Sequence, residues 1–341
     1  MTFLTRPRLL TFAIAIAGAA LFLALHLPLA LLLGPMAACL TAALLGAKMQ
    51  DAGTLGTFMR TFLGVAVGSS ITPETVGHLP DFALSLLFVP LFIVIIGAVG
   101  YPLFRFVFGF NHPTAWYAAM PGGLQDMLVF GEEAGGDVRA LSLIHATRVL
   151  VIVTSAPLIM TLYWGIDLSQ PPGKPALDTD PVQIALMIFA CFAGWKIAER
   201  VGLFGASILG PMILTGALSL SGIITTRPPA EIIWAAQFFI GIAVGVKYSG
   251  ITWRELRIDV GAGVVYALIL AGISLAFFEV IYLLGLAPAL DAFLAFLPGG
   301  QAEMVVIAII AGADLAYVVS HHLLRIILVI LLAPIVARIF R

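Results

Sequence analysis

From Leu9 to Ala47 the chain has no acidic residue, lysine or arginine, and the same holds from Phe82 to Phe104 and from Val260 to Phe278. Runs of this kind reach the ~20 residues a helix needs to cross a hydrocarbon core. Inside such a core only the protein can satisfy its own backbone N–H and C=O groups, so the crossing elements are helices or closed barrels. These runs hold Gly and Pro freely, do not alternate with period two, and lack the short-strand punctuation of a barrel. The expected fold class is an all-α polytopic membrane protein. Composition agrees: 61% of residues are hydrophobic and 10% charged, against about 25% charged in soluble domains, and the mean hydropathy is +1.11.

A net charge of −1 leaves no basic surface for nucleic acid. Cys39 and Cys191 lie in apolar spans without a CxxC partner and read as packing residues. Arg6 and Arg8 before an apolar run imitate a signal peptide. That reading fails because the same run recurs as the first helix of a second half.

The runs come as two matching sets. LLLGPM at 31–36 returns as SILGPM at 207–212, 176 residues on, and FLGVAVG at 62–68 returns as FIGIAVG at 239–245, 177 on. The longer step also carries Pro121 to Pro298, Asp126 to Glu303, AGGD at 134–137 to AGAD at 311–314, His145 to His322, Arg148 to Arg325, and SAPLI at 155–159 to LAPIV at 332–336. A near-constant offset marks two homologous halves. The first membrane repeat is 8–164 and the second 181–341, with a polar linker at 165–180. Each repeat has six apolar segments.

Six full crossings per half would leave the halves facing the same way. Five crossings and one segment that folds back would invert them. Positive residues favour the cytoplasmic side. With Arg6 and Arg8 inside, Lys48, Arg60, Arg105, Lys196, Arg200, Arg338 and Arg341 also fall inside. The cluster Lys247, Arg254 and Arg257 does so only in the inverted arrangement. The expectation is two inverted repeats, each about five transmembrane helices plus one re-entrant or broken helix.

The broken segments are PGGLQDM at 121–127 and PGGQAEM at 298–304. The pieces flanking the first break are about eight residues each, or about 12 Å of helix, which reaches the middle of a ~30 Å core. A break at that depth survives where protein covers it or where it lines a wet cavity. Inverted repeats with such breaks at the midplane are a recurrent design of secondary transporters. Gly122, Gly123, Gly299 and Gly300 would let backbone approach a ligand. Gln125 and Asp126 follow the first break, Gln301 and Glu303 the second, and an acid at membrane depth is a functional candidate. His145 with Arg148, and His322 with Arg325, share a helix face at i, i+3. Arg offers a fixed fork to carboxylate or phosphate, and His titrates near neutrality. These are the candidate substrate- and ion-binding residues.

Plainer readings stand beside that one. Pro-Gly-Gly can be a turn that permits tight packing. The arginines can neutralise Asp126 and Glu303 as buried ion pairs. The histidines can be polar packing residues, which suits His321, since it has no mate in the first half. The GPM elements read as kinks where helices cross.

The duplicated GPM, the Pro-Gly-Gly-x-x-acid-Met element and the His-x-x-Arg element resemble the AbrB-type membrane protein family, over nearly the whole chain. Members carry labels such as ammonia monooxygenase and regulator of gene expression. The family is similar to the cation/proton antiporter and anion transporter superfamily, and that resemblance implies transport by inverted repeats. An oxygenase would need clustered metal ligands. The six histidines, at 26, 78, 112, 145, 321 and 322, form no such pattern. A DNA-binding regulator would need a soluble basic module.

The expected function is secondary transport of a small solute, an organic anion among the options, by alternating access coupled to H⁺ or Na⁺. The alternative is a membrane-embedded sensor or regulator that affects gene expression indirectly. No enzyme activity, cofactor, metal or nucleotide-binding motif is expected. The expected partners are a small-molecule or ion substrate and the lipid bilayer, with a homodimer allowed and no nucleic acid. The expected location is the plasma (inner) membrane, multi-pass.

Overall fold

The computed structural model describes residues 5–77, 79–168, 171–203 and 205–339. His78, Arg341 and the side chains of Gln125 and Arg338 lie outside the described residues. Among the described residues the chain is helical throughout, without a strand. The first half supplies α1 (Arg6–Ala24), α2 (Ala30–Leu44), α3 (Thr54–Gly68), α4 (Phe88–Pro102), α5 (His112–Ala119), α6 (Leu124–Glu133) and α7 (Val138–Trp164). The second supplies their counterparts in the same order. These are α8 (Pro181–Arg200), α9 (Ala206–Leu220), α10 (Ala230–Gly245), α11 (Gly261–Leu283), α12 (Ala289–Phe296), α13 (Gln301–Ala311) and α14 (Leu315–Ile339). The caps repeat as well. Thr5 accepts from Arg8 N at the start of α1 and Asp180 from Val182 N at the start of α8, each with Pro in the first helical positions, where its missing N–H is not needed.

Among the described residues seven segments are long and apolar enough to cross a membrane: Arg6–Ala24, Pro80–Val107, Val138–Trp164, Pro181–Arg200, Ala230–Tyr248, Trp253–Leu283 and Leu315–Ala337. The chain is an all-α polytopic membrane protein.

The helices gather into two compact units, and each unit takes pieces from both sequence repeats. The first comprises Met1–His78, Ala156–Ile251 and Ala302–Ala316, and so holds α1–α3, α8–α10, the end of α7 and nearly all of α13. The second comprises Leu79–Ser155, Thr252–Gln301 and Tyr317–Arg341, with α4–α6, most of α7, α11, α12 and most of α14.

In the first unit α2 packs on α1 and α10, and α9 on α8 and α3. Glycine makes these crossings close. A Cβ on Gly64 would fall on the Ile208 carbonyl oxygen, and one on Gly241 on the Leu32 carbonyl oxygen. Gly18 and Gly34 face each other in the same way, as do Gly194 and Gly210. Lipid tails are as apolar as leucine, so membrane helices associate through close packing of small residues rather than through a hydrophobic drive. The GPM elements lie at these crossings, with Pro35 and Pro211 inside their helices.

One joint differs between the halves. The turn from α1 to α2 holds His26 at φ 52° and Leu29 at φ 50°, in the left-handed region, whereas the turn from α8 to α9 has Gly202 and Gly205 at φ 67° and 58°. A side chain in that region costs about 1–2 kcal/mol that glycine avoids.

In the second unit Phe92, Phe277 and Phe296 form an aromatic cluster. Gly100 leaves room for the ring of Tyr266. The long spans each carry one π turn, Leu103–Val107 after α4 and Leu256–Val260 before α11.

Candidate functional site

Each Pro-Gly-Gly stretch interrupts a helix. The helix α5 ends at Ala119, Met120 is extended at ψ 131°, and α6 starts after Gly123, itself extended at ψ 139°. In the second half α12 ends at Phe296, Leu297 is extended at ψ 124°, and α13 starts at Gln301. Proline and an extended residue before it cannot continue a helix. None of the four glycines has a positive φ, and at Gly122 and Gly123 a side chain would meet crowded surroundings. A Cβ on Gly122 would lie 2.7 Å from Met127 Cε and 3.0 Å from Val329 Cγ1, and one on Gly123 would strike the Asp126 carboxylate. Gly123 thus makes room for Asp126 at the start of α6.

Interrupting a helix leaves carbonyls without partners at the end of the first piece. The following helix supplies donors for them. Arg148 on α7 donates from Nη1 to the Met120 carbonyl and from Nη2 to the Gly122 carbonyl, both at 3.3 Å. His145 Nε2 bonds the Tyr117 carbonyl at 3.1 Å. In the second half Arg325 donates to the Leu297 and Gly299 carbonyls at 3.1 and 3.3 Å, and His322 Nε2 bonds the Leu294 carbonyl at 2.9 Å. Every donor and every acceptor is displaced by 177 residues from its counterpart. A carbonyl only accepts, so both rings donate from Nε2, and each Nδ1 is buried with no hydrogen-bond partner. The four side chains are at most 3% exposed. Arg148 lies within electrostatic reach of Arg325.

The arrangement closes each break electrically. The C-terminal end of a helix carries partial negative charge and the N-terminal end partial positive charge. Arg148 and Arg325 answer the first, and Asp126 and Glu303, in the first turns of α6 and α13, answer the second. This replaces the ion-pair expectation for Asp126. Among the described residues it makes no ion pair within 4 Å, and the hydrogen bonds of Arg148 just given go to backbone.

Of the candidate residues, Gly122, Gly123, Asp126, His145, Arg148, Gly299, Gly300, Gln301, His322 and Arg325 all fall in the second unit, and Glu303 in the first. Gln301 Nε2 is buried without a partner. Among the described residues no three His, Cys, Asp or Glu side chains group as a metal site.

Tyr266, fully buried on α11, was missed by sequence reasoning. Its hydroxyl donates to the Ala119 carbonyl, one more loose end of α5. Its counterpart in the first half is Val89, so the repeat gave no sign of it. A tyrosine hydroxyl inside a long apolar span was the available signal. His321 is a packing residue. Its ring bonds the Tyr317 carbonyl and Ser85 Oγ at 2.8 and 3.0 Å and lies against Phe296.

The family model described as "Transition state regulatory protein AbrB" matches residues 31–341. The Escherichia coli (strain K12) protein named "Putative regulator AbrB" is 28% identical over 328 residues, covering 93% of this chain and 91% of its own. The Bacillus subtilis (strain 168) protein named "Uncharacterized protein YhjN" is 27% identical over 290 residues, covering 80% of this chain and 75% of its own. Matched over nearly its whole length, and built as a twice-repeated broken-helix membrane fold, the chain belongs to the AbrB family.

Proposed function

We propose that the chain is a secondary transporter of the plasma (inner) membrane that moves a small organic anion by alternating access, coupled to H⁺ or Na⁺. The observation that carries this reading is the pair of interrupted helices, each with its loose carbonyls clamped by Arg and His and its new N-terminus answered by an acid. A structural role alone would favour an uninterrupted helix, which needs no clamp. Two buried guanidinium groups and two helix N-termini favour a negative solute. Asp126 and Glu303 are the acids assigned to the coupling ion.

The test is uptake of radiolabelled acetate, succinate and citrate into proteoliposomes under imposed H⁺ or Na⁺ gradients. Asp126→Asn and Glu303→Gln are expected to abolish gradient-driven uptake. Their stability should fall by only about 0.3–1 kcal/mol, the usual worth of a charge at a helix end. Wild-type coupled uptake in the double variant would remove both acids from the mechanism.

A second reading, a membrane-embedded sensor that alters gene expression indirectly, is favoured by the family description and the name of the Escherichia coli relative. Expression changes that persist in a cell carrying the transport-dead double variant would select it over transport.

A further inference from the structure

In the first unit a cavity of about 510 Å³ opens beside the α1–α2 turn. His26 and Asp167 line it, as do Trp234 and Gln237 of α10, which are three residues apart and so on one helix face. Most of the remaining wall is apolar, Leu27 and Leu29 included. Gln237 is 1% exposed, and its amide nitrogen is buried with no hydrogen-bond partner. A buried donor without an acceptor is destabilising, and such groups are rare unless something outside the chain completes them.

The residues that line it depart from the repeat. The residue of α3 that matches Gln237 is Arg60, whose guanidinium donates to Thr57 Oγ1 at 3.4 Å. The turn that matches His26 and Leu29 carries Gly202 and Gly205 at the same left-handed positions. The first half has therefore placed side chains where the backbone favours glycine. The second has an uncharged amide where the first has a partnered cation. Both departures from the repeat border the same space.

The lining has no Lys or Arg and includes one acid, so it does not suit an anion. It adjoins Leu23 and Leu27, which are 55% and 38% exposed on an apolar, membrane-length helix and the turn after it. We propose that this cavity binds the acyl ester of a neutral bilayer lipid, its chain along the leucine wall beside Trp234 and its ester carbonyl accepting from Gln237 Nε2. The site is separate from the clamped breaks of the second unit and does not depend on the transport reading.

The test uses the full chain in detergent, with monooleoylglycerol brominated on its acyl chain as the probe and brominated oleate at neutral pH as the anionic comparison. Bromine quenches nearby tryptophan. The ester should quench saturably, and Trp234→Phe should remove that component. Gln237→Leu should weaken the ester about fivefold, the factor one ordinary hydrogen bond supplies. The same change should raise the melting temperature of the lipid-free protein, because it removes an orphaned buried amide. A purely structural glutamine would instead lower that temperature when replaced. The proposal is overturned by a lowered melting temperature, by unchanged ester affinity in Gln237→Leu, by equal quenching with oleate, or by saturable quenching that survives in Trp234→Phe.

Discussion

Replacing Arg325 by Met is expected to lower stability by about 2–6 kcal/mol, since two buried carbonyls lose their donors at about 1–3 kcal/mol each. The acceptors are Leu297 O and Gly299 O, both at the interruption, where no lipid group can replace the lost donor. Methionine keeps much of the volume and removes the charge, so the loss reports the clamp rather than a cavity. Arg325→Lys should fall between Met and wild type, because one ammonium cannot reproduce a planar two-pronged fork. Arg148 should behave in the same way toward Met120 O and Gly122 O, less severely, since Tyr266 still holds the neighbouring Ala119 carbonyl. Thermal melting of the purified variants measures both effects. An unchanged melting temperature in Arg325→Met would mean that the interruption needs no donor.

The second large effect lies in the first unit. Gly64→Ala and Gly241→Ala each place a methyl on a backbone carbonyl oxygen of the neighbouring helix, and backbone cannot swing aside as a side chain can. The helices must part along their length, and overpacking of this kind costs about 1–3 kcal/mol per site. Gly272→Ala is the control. It lies inside α11 with nothing within 4 Å of the added methyl, and there alanine should stabilise by up to about 1 kcal/mol through helix propensity. Melting of the three variants and the Gly64/Gly241 double alanine variant decides the matter. Equal behaviour at all three glycines would remove close packing as the reason for the repeated FLGVAVG and FIGIAVG elements.

Much of this was legible in the sequence because duplication writes each feature twice. The interruptions and the His-x-x-Arg pairs could be located from the 177-residue step, and the GPM crossings from the 176-residue step. The partners of the arginines could not. Their acceptors are carbonyl oxygens, which every residue carries and no letter distinguishes, so Asp126 seemed the natural partner for Arg148. What stands beside Gly122 and Gly123, Met127 and Asp126, was hidden for the same reason: the sequence shows that a side chain is absent, not what fills its place. Interleaving of the repeats into two compact units was also hidden, because it depends on which helix faces meet, and the glycine faces of α2, α3, α9 and α10 are alike. Tyr266 and Gln237 escaped because each departs from the repeat, and symmetry directs attention to what recurs.

Interleaving has a consequence for how the chain is made. In the first unit Gly64 meets Ile208 and Gly241 meets Leu32, so the mates of α2 and α3 are encoded far downstream. At roughly 5–20 residues per second of synthesis, α2 and α3 wait in the bilayer for seconds to tens of seconds before α9 and α10 exist. During that wait the face of α2 around Leu32 and the face of α3 around Gly64 lack these mates, and non-local contacts of this kind form late and slowly. The half-made chain is thus the stage most exposed to capture by other membrane helices with small-residue faces, and to quality-control proteases.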